Sequence, residues 1–200
     1  MSDLFTEKAA EWDGRPLVQQ LSSAISAAII SELDLKPSLQ VMDFGAGTGL
    51  ICCQLAPLVG SITAIDISPA MLEKLSEKAE FHGQVSTLCQ NIIDTPLDRT
   101  FDLIVSAMAV HHVESTRTLI QRFSSNLVTG GHVALADLDA EDGSFHPEGI
   151  EGVFHDGFER KALKSLLEAE GFVDVRFRTA ITVEKDDKHY PIFLVVATKG

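Results

Sequence analysis

An α/β fold, a mainly parallel sheet doubly wound with helices on both faces, is predicted by three observations in this 200-residue sequence. Five short apolar runs alternate with stretches of helical period, the pattern of repeated βα units. Those runs are apolar almost throughout, which suits strands buried on both faces. The last two runs are separated only by residues 184–189. Parallel strands need a crossover of about a dozen residues or more, so this final pair is antiparallel.

The chain is organised around Val41-Met42-Asp43-Phe44-Gly45-Ala46-Gly47-Thr48-Gly49-Leu50. Residues 39–44 read as a strand that runs into three alternate glycines, and a helix follows over 50–59. Glycine lets the main chain take conformations closed to other residues and lets a ligand approach it closely. A turn of this kind leading into a helix start presents unpaired N–H groups and a partial positive charge. The expectation is a pocket for the anionic end of a ligand, a phosphate or a carboxylate.

Ahead of this turn, Phe5, Ala9 and Trp12 are spaced for one helical face within residues 3–13. That segment either packs on the domain as scaffold or closes over a ligand. Pro16 suits a first helical turn. Leu17, Leu21, Ala24, Ile25, Ala28 and Ile29 then form a helical stripe over 16–33. On the helix after the glycines, Cys52 and Cys53 point about 100° apart, which is poor geometry for chelation. They read as small buried hydrophobes.

Residues 61–66 form a second strand that ends in Asp66, 21 positions after Gly45. An acid at that tip can accept hydrogen bonds from both hydroxyls of a ribose. Ser68-Pro69 then starts a helix. Residues 84–89 are a third strand, followed by Gln90-Asn91-Ile92-Ile93-Asp94, and residues 101–106 are a fourth. A helix over 114–128 is expected to close at Gly130-Gly131, with a fifth strand over 132–138. Residues 137–156 have no clear period and carry Asp137, Asp139, Glu141, Asp142, His146 and His155. Such a stretch is a lid, a carboxylate–histidine metal site or a solvated acidic loop. No fixed ligand spacing appears, so no metal is expected. A helix over 158–170 leads to a strand with Val173, Val175 and Phe177 inward and Asp174, Arg176 and Arg178 outward. Residues 190–197 are a buried final strand.

Composition narrows the function classes. Net charge is −13 and the sequence pI about 4.8. Phosphate backbones repel such a surface, so nucleic acid is not an expected partner. Three cysteines, two of them adjacent, are no disulfide framework and fit a reducing compartment. The polar N-terminus is wrong for a signal peptide and no apolar run spans a bilayer, so a cytoplasmic protein without a membrane role is expected.

The dinucleotide fingerprint Gly-x-Gly-x-x-Gly fails, because read from Gly45 its third glycine position holds Leu50. The spacing Asp43-x-Gly45-x-Gly47-x-Gly49 instead resembles motif I of class I S-adenosylmethionine (SAM) dependent methyltransferases. Asp66-Ile67-Ser68 followed by Met71-Leu72, and Phe101-Asp102-Leu103-Ile104, are similar to later motifs of that family. Asn91 is similar to the Asn of its ubiquinone/menaquinone-biosynthesis members. The resemblance covers nearly the whole chain and is strongest over residues 41–131. It implies a Rossmann-like sheet of seven strands, order 3-2-1-4-5-7-6 with the last antiparallel, in a single domain over 1–200. It also implies an N-terminal helical cap over 1–35 and a lid over 137–157. Trp12, Asp43, Gly45, Ala46, Gly47, Gly49, Asp66, Ile67, Asn91, Ile92, Ser106 and Ala107 would then surround SAM. Catalysis would be direct displacement onto a small-molecule acceptor, leaving S-adenosylhomocysteine.

His111 follows the fourth strand and Asp137 ends the fifth, beyond which ligands of open α/β sheets sit. They are the candidate base and its orienting carboxylate, with a structural role for both His111 and His112 as the alternative. Two further readings stay open: an NAD-dependent oxidoreductase, and a non-catalytic SAM-binding regulatory or partner protein.

Overall fold

Successive residues of the central strands feed two separate cores. Val41, Leu103, Val105, Ala134, Ala136, Leu194 and Val196 face one side, while Met42, Ile104, Val133, Leu135, Phe193 and Val195 face the other. A strand turns successive side chains to opposite faces, so apolar runs without alternation bury both. The protein is seen in a computed structural model, which describes residues 5–78 and 83–200. Residues 1–4 of the expected cap, and Glu80 to His82 with Ala79 before the third strand, lie outside the described residues.

The described chain runs α1 (Thr6–Ala9), a 3-10 turn (Trp12–Gly14), α2 (Pro16–Glu32), β1 (Gln40–Phe44), α3 (Leu50–Leu55), β2 (Ser61–Asp66), α4 (Pro69–Ser76) and β3 (Val85–Cys89). It continues with β4 (Phe101–Ala107), a 3-10 turn (Val110–His112), α5 (Thr116–Ser125), β5 (Leu127–Leu138), α6 (Arg160–Ala169), β6 (Phe172–Lys185) and β7 (Lys188–Lys199). The sheet order is β3-β2-β1-β4-β5-β7-β6. β7 is antiparallel to both neighbours, and the pairings among β1 to β5 are parallel. α2, α3 and α4 cover one face through Ile25, Ile29, Cys52, Leu55 and Leu72. α5 and α6 cover the other through Leu119, Ile120, Phe123, Leu163 and Leu167. Each such side chain, fully buried, stabilises the fold by roughly 1.5–3 kcal/mol.

Local chemistry sets the helix starts. Ser68 accepts from the Met71 N–H at 3.2 Å with Pro69 in the first turn, and Ser115 accepts from the Thr118 N–H at 3.3 Å. Each satisfies a donor that has no partner inside its helix.

Four expectations need correction. The helix expected over 114–128 ends at Ser125. Asn126 replaces Gly130-Gly131 as its stop, because its side chain donates to the carbonyls of Leu97 and Arg99 and its own carbonyl accepts from Phe101 N–H. The two glycines lie inside β5, where the register jumps between Phe101 and Leu103. A Cβ at Gly131 would sit 2.9 Å from the Val128 carbonyl oxygen, so the bulge requires its absence. In β6, Val173 is exposed rather than inward. A bulge with Asp174 at φ 53° adds one residue and resets the alternation, leaving Phe172 and Val175 buried. Last, residues 5–14 are not one helix. α1 stops after four residues and the chain re-forms as a 3-10 turn, yet the Phe5 and Trp12 rings still meet edge to face at 6.1 Å.

Candidate active site

The carboxyl ends of β1, β2, β4 and β5 converge, because parallel strands all point the same way. The glycine loop leaves β1 with Gly45, Gly47 and Gly49 at φ 68°, 55° and 84°. A Cβ on Gly45 would meet the Ala109 Cβ at 2.3 Å, so a hydrogen there is what lets the loop lie against the turn that carries His111. A Cβ on Gly47 would meet nothing within 4 Å, which leaves open space over that residue.

Part of the expected anion pocket is taken up by the loop's own bonds. Four of its N–H groups are spent internally: Gly45 and Ala46 donate to the Ile65 carbonyl, Gly49 to Ala46, and Gly47 to Asp66 Oδ2 at 2.8 Å. Asp66 Oδ1 accepts from the Ser68 N–H at 2.8 Å. The carboxylate thus pins the loop to β2. Asp43 lies buried below the loop with Oδ2 unpartnered. Burial first, and then the nearby Asp66, push its pKa up to about 8. With these four donors used and the Asp66 carboxylate beside them, the loop is poorly suited to a phosphate.

A third acid, which the sequence reading missed, closes the loop. Asp13 accepts from the Thr48 hydroxyl and pairs with Lys78 at 2.8 Å, while Lys78 also donates to the Thr48 carbonyl at 2.7 Å. The three residues are far apart in the chain, and no spacing signals their meeting. Trp12 itself is half-buried, with the Arg15 guanidinium 5.0 Å over its ring. Through Phe5, whose ring meets His112 at 5.6 Å, the same segment touches the second half of the site.

That half centres on a buried pair. His111 Nδ1 lies 2.7 Å from Asp137 Oδ1, and both residues are almost wholly buried. Asp137 also accepts from the N–H of His111 at 3.1 Å and of Leu138 at 2.8 Å. Facing a carboxylate, Nδ1 carries the proton, so Nε2 presents its lone pair, and Nε2 has no partner. His112 turns the other way: Nδ1 donates to the Gly152 carbonyl. Burial, and then His111, lower its pKa to about 4, so it is neutral near pH 7. Just before them Met108 is held at φ 54°, an uncommon conformation of the kind that gathers at functional sites.

Residues 139–158 form a closed loop over this pair. Its neck is tied by Phe158 N–H to the Leu138 carbonyl, Ala140 N–H to Phe158, and a two-pronged Arg160–Asp139 pair at 2.7 Å in each arm. Phe154 N–H donates to the His111 carbonyl at 2.9 Å. Glu141 accepts from the N–H groups of Ser144 and Phe145, and Asp142 pairs with Lys188. Asp139, Glu141 and Asp142 are therefore engaged in structure. Among the described residues no three His, Cys, Asp or Glu side chains are placed to hold a metal ion.

The remaining expected residues divide. Ser106 and Ala107 end β4 beside β1, and the Ser106 hydroxyl is buried without a partner. Ala46 packs on the core beneath the loop. Ile67 stands 63% exposed next to Asp66, as an apolar surface for a flat ring would. Asn91 is committed to a local turn: its amide donates to Asp94 and its carbonyl accepts from Ile93 N–H. The Ile92 side chain is in the core, which leaves only its backbone to face a ligand. Cys52 is buried, and its neighbour Cys53 and burial push its thiol up, so it remains an unreactive core group.

A methyltransferase-domain family model matches residues 42–135, the span from β1 to β5 that builds both halves of the site. Over this span the chain is similar to class I SAM-dependent methyltransferases. An O-methyltransferase of Aspergillus nomiae is 30% identical over 149 residues, 69% of this chain and 66% of that one. A methyltransferase of Schizosaccharomyces pombe is 30% identical over 61% of this chain and 49% of its own. The chain spans about half the length of the first curated relatives it matches. The N-methyltransferase NodS of Bradyrhizobium japonicum, solved with S-adenosylhomocysteine, shares the fold at TM-score 0.74 and 18% identity, covering 99% of this chain and 95% of that one. The chain shares that fold, whose seven-stranded order and closing antiparallel strand it shows.

The buried Asp43 carboxyl sets a pH dependence. Its folded pKa is raised, so its contribution to stability is full below about 3.8 and is lost progressively as pH rises to about 8. Asp43→Asn keeps the shape and removes the titration. In urea unfolding, the variant should gain on the native chain between pH 5 and pH 8.5. A difference that does not grow with pH would show that Asp43 ionises freely.

Proposed function

We propose that this methyltransferase moves the methyl group of SAM to a small-molecule acceptor, with SAM over the glycine loop and the acceptor at His111. The observation that carries the reading is the loop's electrostatics. Four of its N–H groups are used internally, and the Asp66 carboxylate stands at its edge. A dinucleotide brings a pyrophosphate, which that field repels. SAM, net positive through an ammonium and a sulfonium against one carboxylate, is attracted. The open space over Gly47 and the unpartnered Asp43 oxygen beneath the loop fit such a ligand.

When bound, SAM supplies a methyl carbon made electrophilic by positive sulfur. Asp66 would accept from the ribose hydroxyls, and Ile67 with the Asn91–Ile92 turn would border the adenine. Gly45, Ala46, Gly47, Gly49, Ser106 and Ala107 would line the methionyl end. Alignment in a water-excluded site is worth roughly 7–11 kcal/mol of the barrier. His111 Nε2 can take an acceptor proton while Asp137 steadies the charged imidazole. Residues 5–14, latched by Asp13, act as the cap, and 139–158 as the cover over the acceptor.

The names of two fungal relatives and of ubiquinone-biosynthesis O-methyltransferases support a small organic acceptor. The charge of −13 argues against nucleic acid. No helix of the described residues is long and apolar enough to cross a membrane. Three cysteines, two of them adjacent, support a cytoplasmic setting.

The test is thermal unfolding with each ligand. A ligand bound only to the folded chain stabilises it by about 2.7 kcal/mol at a hundredfold excess over Kd. SAM and S-adenosylhomocysteine should raise Tm, NAD should not, and Asp66→Ala should lose most of the shift. A rise with NAD and none with SAM would end the reading.

A further inference from the structure

His146 is the residue in this region that the reaction above does not use. It enters from the 139–158 loop, and its ring lies 5.0 Å from the His111 ring, centroid to centroid. The two residues before it are fixed to β6 and β7. Phe145 packs on Tyr190 at 5.2 Å and its carbonyl accepts from Lys185 at 2.8 Å, while the Ser144 hydroxyl meets the Tyr190 hydroxyl at 2.7 Å. The Nε2 atoms of both His111 and His146 are buried with no partner. Native interiors rarely leave one such nitrogen unsatisfied, and two in neighbouring rings mark a place where a polar group belongs.

We infer that His111 and His146 grip one oxygen of the acceptor, which makes this an O-methyltransferase for an acidic hydroxyl, phenolic or enolic. The inference rests on the methyltransferase reading and adds the acceptor atom. His111 offers a lone pair, because Nδ1 holds its proton against Asp137. His146 offers an N–H. A hydroxyl answers both: its proton goes to His111 Nε2, one oxygen lone pair forms the bond to the methyl carbon, and another accepts from His146. The carbon–sulfur bond breaks with its electrons left on sulfur as a neutral thioether. An amine fits poorly, since its single lone pair is used in the new bond and nothing remains to accept from His146. A carboxylic acid is already ionised and needs no base, and an alkyl alcohol is too weakly acidic for an imidazole.

The groups facing His146 are His111, His112, Asp137, Lys185 and Asp156. Burial, and after it His111, hold its pKa below the usual histidine value, so it enters as a neutral donor near pH 7. It acts on the oxygen in the manner of an oxyanion-hole group.

The experiment uses the full chain loaded with S-adenosylhomocysteine and 4-nitrophenol as the probe, whose ionisation is read by phenolate absorbance against pH. The native chain should ionise the bound phenol at lower pH than water does. His146→Ala should move that transition up by about one pH unit, tenfold less phenolate at a given pH. His146→Gln, which keeps an N–H donor, should retain most of the effect. Calorimetry should give both variants the native affinity for S-adenosylhomocysteine. Equal ionisation in His146→Ala and the native chain, or no binding of the phenol by a chain that binds S-adenosylhomocysteine, overturns the inference. Failure of the native chain to bind S-adenosylhomocysteine overturns the methyltransferase reading instead.

Discussion

His111→Ala should retain native SAM affinity and lose turnover by about 10²–10⁴-fold, the range of a positioned general base. The two half-sites separate the effects: the glycine loop and Asp66 are held by β1 and β2, whereas His111 rides on the turn after β4. Asp137→Asn should cost as much by another route. Asp137 Oδ1 accepts from His111 Nδ1 and from Leu138 N–H, and Oδ2 accepts from His111 N–H. An amide has one oxygen for these two positions, so an N–H must face an N–H at one of them. If the amide oxygen faces the Leu138 N–H and Nδ1, the His111 N–H is left unmet. If it faces the His111 N–H, the imidazole is driven to the other tautomer and Nε2 loses its lone pair. The unmet donor costs about 1–3 kcal/mol of stability, and the wrong tautomer removes the base. Steady-state kinetics beside calorimetric SAM titration decides this. Full turnover in both variants would remove the pair from catalysis. A parallel loss of SAM affinity would place it in the cofactor shell.

Gly45→Ala should damage both half-sites at once. The new methyl group would have to share space with the Ala109 Cβ, 2.3 Å away, and neither has a rotamer to escape into. Overpacking of this kind costs typically 1–3 kcal/mol, and holding alanine at φ 68° adds roughly 1–2 more. The loop and the 108–112 turn must then part, which moves the glycine cradle and His111 away from each other. Urea unfolding should show the loss of stability, and SAM titration a weakened affinity that a stabilising osmolyte does not restore. Gly47→Ala is the control: its Cβ meets nothing within 4 Å of the described residues, so only the backbone strain is paid and the fold should survive. Equal stability of Gly45→Ala and the native chain would mean that the loop has slack the packing does not suggest.

The fold was legible because its signals are local or compositional. Strand burial on both faces writes itself as unbroken apolar runs, the crossovers as helical period, and the closing hairpin as a link too short for anything but an antiparallel return. Even the link's turn, Asp186-Asp187 at φ 51° and 58°, sits where that link was expected. Boundaries failed where a distant partner decides them. Asn126 stops α5 because Leu97, Arg99 and Phe101 arrive beside it, and Val173 turns outward because a bulge intervenes.

The site divides in the same way. Asp43, the three glycines and Asp66 announce themselves by spacing, because strand ends in a βα sheet recur at intervals fixed by the length of one unit. His111 and Asp137 could be paired in advance only as neighbours at the sheet's carboxyl edge. Their 2.7 Å contact, the tautomer it imposes and the unpartnered Nε2 it leaves belong to the tertiary structure. So does the use of the glycine loop's donors: the sequence suggests free N–H groups, and folding spends four of them on Ile65, Ala46 and Asp66 while Asp13 closes in from 35 positions away. Sequence by itself determined the order of elements and the acids at the strand ends. Only the packed chain decided which donors remain unsatisfied, because a hydrogen bond is a property of two groups, and its second member here comes from another part of the chain.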